Sequence, residues 1–237
     1  MIFGRMIGVD TVKSFFLTKD NLPRLCLMAV TAALITVTGI LFHQSFIRIL
    51  PLYVSLIVGV LQSRANRYAS LLGGMNSILY TLVYIYLGLY ASAGYALLFS
   101  FPLQLMTFIL WSRRKQGEST TFRKMSWRCR ALVLLGYLAC FVILRTVLQA
   151  AGSSHQLLDN LTSLTGILIS VLTMFAFVEY TWLMLPSGML NIVLNFATMQ
   201  TNPEQITYVI FSFYSIVCVT IQFFRVRKLY AEQSRNV

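Results

Sequence analysis

The chain has 237 residues, of which 57% are apolar and only 11% are charged. A soluble domain of this size carries about 25% charged residues, so a water-facing fold is excluded. Nineteen Lys and Arg against seven Asp and Glu give +12, yet no stretch interleaves aromatic and basic residues as single-strand binders do. That removes nucleic acid as a partner and leaves the basic excess to be explained by its placement. No charge occurs from Tyr68 to Ser112 or from Tyr180 to Pro203. Runs of that length belong in lipid. The fold class is an all-α polytopic membrane protein.

The first 24 residues hold Arg5, Lys13, Lys19 and Arg24, and Val9–Leu17 has the spacing of a short amphipathic surface helix. No cleavage signal closes the apolar run that follows. Eight apolar segments are predicted, at 25–42, 48–62, 68–89, 93–111, 131–149, 161–181, 187–201 and 206–224. Their lengths suit helices crossing about 30 Å of hydrocarbon, and barrel-type alternation is absent. The segment 48–62 opens on Arg48 and contains Pro51, while 187–201 is short and follows Pro186. Such a segment is either a broken helix beside a substrate path or a packed helix with different ends. Pro102 is expected to loosen the turn before it.

With eight spans and a cytoplasmic N-terminus, 17 of the 19 basic residues fall on one side, and only Arg48 and Arg145 fall on the other. The positive-inside rule then puts both termini in the cytoplasm. Trp111–Lys115 and Phe224–Lys228 each close an apolar run with a basic cluster, offset by 113 residues. The offset lays spans 2–4 on spans 6–8 in the same orientation, a parallel 3+1+3 duplication. Coincidence of helix length is the competing explanation. The expected organisation is an N-terminal segment and extra helix (1–45), a first three-helix unit (46–111), a basic loop with a linker helix (112–160), a second unit (161–228) and a tail (229–237).

Polar side chains inside such spans must face a cavity or one another. Asn76, Tyr80 and Tyr84 recur every four residues and share one helix face, with Ser77 and Thr81 beside them. Gln104 follows in span 4, and Trp111 lies two turns on. In the second half come Glu179, Trp182, Asn191 and Asn195, then Gln205, Tyr208 and Ser212. Amides can orient hydroxyls, and an aromatic face can hold a planar or cationic ring. Interhelical hydrogen bonding and interfacial aromatics are the alternative, above all for Tyr86, Tyr90, Tyr95 and Trp111. Glu179, the one acidic residue inside a predicted span, suits proton coupling, a cation contact or a structural ion pair at a helix end.

Catalysis finds little support. Cys26, Cys129, Cys140 and Cys218 show no metal spacing, and His43 and His155 are isolated. No phosphate-binding loop is present, so neither a cofactor nor a metal is expected, and the chain is not expected to be an enzyme.

The 3+1+3 layout, Glu179-x-x-Trp182, and Asn76, Tyr80 and Tyr84 followed by Gly88–Ala91 and Gln104 together resemble the PnuC family of bacterial vitamin transporters. The likeness spans about residues 46–228 and is greatest to members that carry nicotinamide riboside. The resemblance implies a core related to SWEET transporters, preceded here by one extra helix. It implies facilitated diffusion of nicotinamide riboside across the bacterial inner membrane to feed NAD synthesis, a homotrimer surrounded by lipid, and trapping by a separate cytoplasmic kinase. It also implies a central site at Asn76, Tyr80, Tyr84, Gln104, Trp182, Asn191 and Asn195, with Glu179 either there or structural. The chain departs from the family at Leu185, where many relatives have a second Trp. Transport of riboflavin, thiamine or a sugar, and a non-transporting scaffold or sensor subunit, are the competing functions.

Overall fold

The computed structural model describes residues 22–113, 115–116, 119–152 and 155–235; the predicted amphipathic helix at Val9–Leu17 lies outside them. Among the described residues, eight helices are long and apolar enough to cross a membrane. They are α1 (Leu22–Leu41), α2 (Phe46–Ser63), α3 (Tyr68–Tyr86), α4 (Tyr90–Arg113), α5 (Trp127–Ala151), α6 (Gln156–Met174), α7 (Tyr180–Thr201) and α8 (Ile206–Arg235). The 18 residues of α2 rise about 27 Å, close to the hydrocarbon thickness. The 30 residues of α8 rise about 45 Å, so the end bearing Arg225, Arg227 and Lys228 extends past the hydrocarbon. The strand content described is a two-residue ladder, Lys115–Gln116 with Ser119–Thr120.

Packing follows the sequence order within each half. α3 lies between α2 and α4, and α7 lies between α6 and α8. The halves meet where α2 packs on α8 and α4 packs on α6. α1 rests outside on α8 and α2, and α5 rests outside on α6. Of the described α5 residues only Leu148 is buried, so this helix turns a nearly complete apolar surface to lipid.

Local chemistry explains the irregularities. α4 changes to π geometry over Tyr95–Ser100, immediately before Pro102. Proline offers no N–H to the preceding turn, and a register slip accommodates the loss. α3 stops at Gly88, whose φ of 67° permits Leu89 N–H to reach back to the Tyr84 carbonyl at 2.9 Å. The α2–α3 and α6–α7 turns repeat one device: Ala65 and Ala176 stand at φ 53° and 56°. Asn66 N–H then returns to Leu61 at 3.1 Å, and Phe177 N–H to Leu172 at 2.9 Å.

The second of these turns corrects the predicted boundary between spans 6 and 7. Pro186 ends no helix; it is the seventh residue of a continuous α7. So near the helix start it removes a single ladder bond, as Pro51 does in α2. The break is at Ala176, held by a parallel bridge in which Arg123 N–H donates to the Ala176 carbonyl at 3.0 Å and Val178 N–H to the Arg123 carbonyl at 2.9 Å. Glu179 consequently stands in the turn that opens α7 instead of inside a span. Among the described residues the buried acid within the bundle is Asp159, in the first turn of α6, which the predicted start at 161 had left out.

Candidate functional site

Between the two halves lies a cavity of about 370 Å³. Asn76 on α3 ties that helix to α2: its Nδ2 donates to the Pro51 carbonyl at 2.9 Å and to Ser55 Oγ at 2.8 Å. Ser55 Oγ also meets Tyr80 OH at 2.9 Å, and the Tyr80 and Tyr84 rings stack at 5.5 Å. Gln104 Nε2 donates to Ser100 Oγ at 2.6 Å, inside the cluster formed where Ser77 and Ser100 meet at 2.7 Å. The amide of Gln104 lies directly over Gly73, where a Cβ would displace it. The π turn aims Tyr95 across to Ser170 at 3.3 Å, with its ring seated on Gly166.

The second half supplies the facing wall. Asn195 Nδ2 donates to Ser212 Oγ at 2.7 Å and its Oδ1 accepts from Gln205 Nε2 at 2.9 Å. Asn191 Nδ2 bonds one turn back to the Ser187 carbonyl at 2.9 Å. Gln222 Nε2 donates to Tyr180 OH at 3.0 Å. Trp111 also lines the cavity, its Nε1–H donating to the Thr173 carbonyl at 2.8 Å. Two buried amide oxygens on the lining, Asn76 Oδ1 and Gln222 Oε1, have no hydrogen-bond partner among the described residues. Buried acceptors of that kind favour a ligand that brings donors.

The lining contains no Asp, Glu, Lys, Arg or His among the described residues. One formal charge stands a single side chain behind the wall. Asp159 accepts from Ala91 N–H at 3.0 Å, Ser92 N–H at 2.9 Å and Ser92 Oγ, and Ser92 itself lines the cavity. The carboxylate thus caps the first turn of α4 from another helix, joining the two halves.

Six of the eight predicted site residues line this cavity: Asn76, Tyr80, Tyr84, Gln104, Asn191 and Asn195. Glu179 and Trp182 do not. Trp182 precedes Asn191 by nine residues on one unbroken helix, which places them about 180° apart. Glu179 Oε1 instead accepts from Arg130 Nη2 at 2.6 Å and Met125 N–H at 3.0 Å. Trp182 packs edge-on against Phe223 at 4.9 Å and under the Arg227 guanidinium at 4.4 Å. Beside Tyr80 and Tyr84, the lining holds Tyr95 and Trp111, for which the sequence left cavity and interfacial roles open, and Tyr180, which it did not single out. Trp111, seven residues from Gln104 on the same face, was already legible in the sequence. Gln222 was detectable too, since Tyr208, Ser212, Ser215, Val219 and Gln222 recur every three or four residues along the lining.

At the end of the bundle away from the basic loops, the cavity stops at a polar plug. Tyr208 OH donates to the Arg48 carbonyl at 2.7 Å, and the Arg48 guanidinium pairs with Glu204 while lying 5.0 Å from the Tyr86 ring. Gln44 Nε2 binds the Glu204 carbonyl and, at 2.8 Å, Thr207 Oγ1.

Comparison with known proteins agrees with this architecture. A search of curated proteins finds no match. Among solved structures, the crystal structure of the vitamin B3 transporter PnuC superposes with a TM-score of 0.75 at 18% identity, covering 88% of this chain and 90% of that one. That likeness establishes the fold. The family model described as nicotinamide mononucleotide transporter matches residues 45–222, most of the chain, leaving α1 outside it. The chain is a multi-pass membrane protein of the nicotinamide mononucleotide transporter (PnuC) family, a family of transporters and not of enzymes.

Proposed function

We propose that the chain carries nicotinamide riboside into the bacterial cytoplasm by uniport, the α2–α4 and α6–α8 units rocking about the central cavity as two copies of one parallel repeat. One observation bears most of the weight: the described lining of the cavity is polar and aromatic but carries no charged residue. The family's name refers to the mononucleotide, yet a phosphate dianion here would lose its hydration and meet no Lys or Arg, at a cost of several kcal/mol. The phosphate-free riboside avoids that cost. Its hydroxyls and carboxamide supply the donors that Asn76 Oδ1 and Gln222 Oε1 await, and its pyridinium suits the Tyr80, Tyr84 and Trp111 faces. Asp159 behind Ser92 adds a favourable field for a cation. A volume near 370 Å³ falls in the range of small-molecule sites.

The absence of Asp, Glu, His and Lys from the described lining supports facilitated diffusion over proton coupling. The turns at Ala65 and Ala176, each the first turn of its unit, support the duplication. The basic clusters support cytoplasmic termini in the inner membrane, where a separate kinase would trap the riboside. The test is uptake of labelled nicotinamide riboside into sealed liposomes holding the purified protein, with no ion gradient or potential. Equilibration down the substrate gradient is expected. Dependence on a proton or sodium gradient would refute uniport, and uptake of riboflavin, thiamine or glucose in place of the riboside would refute the substrate.

A further inference from the structure

A second concavity, of about 660 Å³, opens on the outer face of the bundle and shares no lining residue with the first. It exists because α5 packs on α6, leaving a furrow between α5 and α7 floored by Leu168 and Leu172. Its interior is hydrocarbon; Tyr137 OH and Thr165 Oγ1 satisfy each other at 3.0 Å. Lys124, Arg130 and Arg227 stand at its mouth with one acid, Glu179. Arg130 neutralises Glu179, and among the described residues neither Lys124 nor Arg227 has a carboxylate partner. Arg227 is held in place, over the Trp182 ring at 4.4 Å and the Phe223 ring at 5.0 Å.

We propose that this furrow binds one anionic glycerophospholipid, its phosphate between Lys124 and Arg227 and an acyl chain along Trp182, Pro186 and Leu190. Charge complementarity selects this occupant: two uncompensated cations stand over an apolar slot at the end of the bundle where the headgroups of that leaflet lie. The dimensions agree. From Trp182 to Leu190 the slot descends about 12 Å, most of the roughly 15 Å depth of one leaflet's hydrocarbon. Trp182, 52% exposed, is turned to the lipid side. The side chains that fall outside the transport cavity, Glu179 and Trp182, thereby acquire a role: Glu179 fixes Arg130 at the mouth, and Trp182 fixes Arg227.

The test is quenching of tryptophan fluorescence in the full-length protein, reconstituted in phosphatidylcholine vesicles containing a minor fraction of phosphatidylglycerol. Brominated acyl chains are placed either on the phosphatidylglycerol or on an equal amount of phosphatidylcholine. Brominated phosphatidylglycerol is expected to quench more strongly, and the excess is expected to vanish in Trp182→Phe, which assigns it to the furrow. The preference should fall about fivefold in Lys124→Gln and again in Arg227→Gln, and survive in Arg227→Lys. Lys124→Gln alters an exposed side chain, so its reading does not depend on intact folding of the Arg227 variant. Equal quenching by both lipids overturns the proposal, as does an excess that persists without Trp182. Absence of quenching by either lipid, with cross-linking of Trp182→Cys between chains, assigns the furrow to a second copy and likewise overturns it.

Discussion

Glu204→Gln removes the negative charge facing Arg48 at the closed end of the cavity and leaves the cation in place. Arg48 is 7% exposed, and its Nε and Nη2 have no hydrogen-bond partner among the described residues, so the carboxylate is its main compensation. Breaking a fully buried pair costs about 3–5 kcal/mol, whereas an exposed pair contributes about 0–1. The Glu204 side chain is 39% exposed, so solvent screening reduces the buried figure to roughly 1–3 kcal/mol. Arg48 belongs to α2 and Glu204 to the α7–α8 connection, so the pair joins the two halves of the bundle. Its loss should weaken closure of this end as well as the folded state. The assay is a double-mutant cycle of thermal unfolding in one detergent, with the parent, Arg48→Gln, Glu204→Gln and the double variant. Each single change should lower stability by about 1–3 kcal/mol, with the double variant falling short of the sum by at least about 1 kcal/mol. Additivity within about 0.5 kcal/mol would refute the reasoning, since it would mean the two charges do not sense each other.

Two further substitutions probe the walls. Asp159→Asn removes the charge that caps α4 and should cost about 1–2 kcal/mol in thermal unfolding while weakening riboside binding; a variant unchanged in both would show that the capping contact contributes nothing. A methyl on Gly166 would come within 2.8 Å of the Tyr95 ring and push it into the cavity. Gly166→Ala should therefore raise the Kd for riboside about tenfold, given that overpacking costs about 1–3 kcal/mol. Gly136→Ala, whose Cβ would meet nothing within 4 Å, should leave binding unaltered. Calorimetry on the two variants distinguishes local overpacking from a general cost of replacing helical glycines.

The parts of this architecture that were legible in the sequence are those encoded locally. Charge-free runs marked the spans, and the four-residue spacing of Asn76, Tyr80 and Tyr84 placed these three on one face, which is the face that lines the cavity. The π turn sits where Pro102 predicted a loosened helix. The α6–α7 boundary was not legible, because Ala176 has no local reason to adopt φ 56°; its turn is fixed by Arg123, more than fifty residues away in the chain. Ending one segment at 181 and starting the next at 187, after Pro186, had a second consequence, because the helix is a packed one with different ends. It divided α7 into two segments and discarded their common helical phase, which alone reveals that Trp182 and Asn191 face opposite ways. Asp159 was hidden for a related reason: a polar start to α6 reads as loop until the amide groups of Ala91 and Ser92 are seen to surround it.

The central claim is that an uncharged aromatic cavity takes the riboside and rejects its phosphate ester, and titration calorimetry tests it directly. Nicotinamide riboside and nicotinamide mononucleotide are titrated in turn into the purified protein. The account predicts saturable binding of the riboside and binding of the mononucleotide at least about a hundredfold weaker, the consequence of burying a phosphate with no cation on the described lining. Mononucleotide binding as tight as that of the riboside would contradict it.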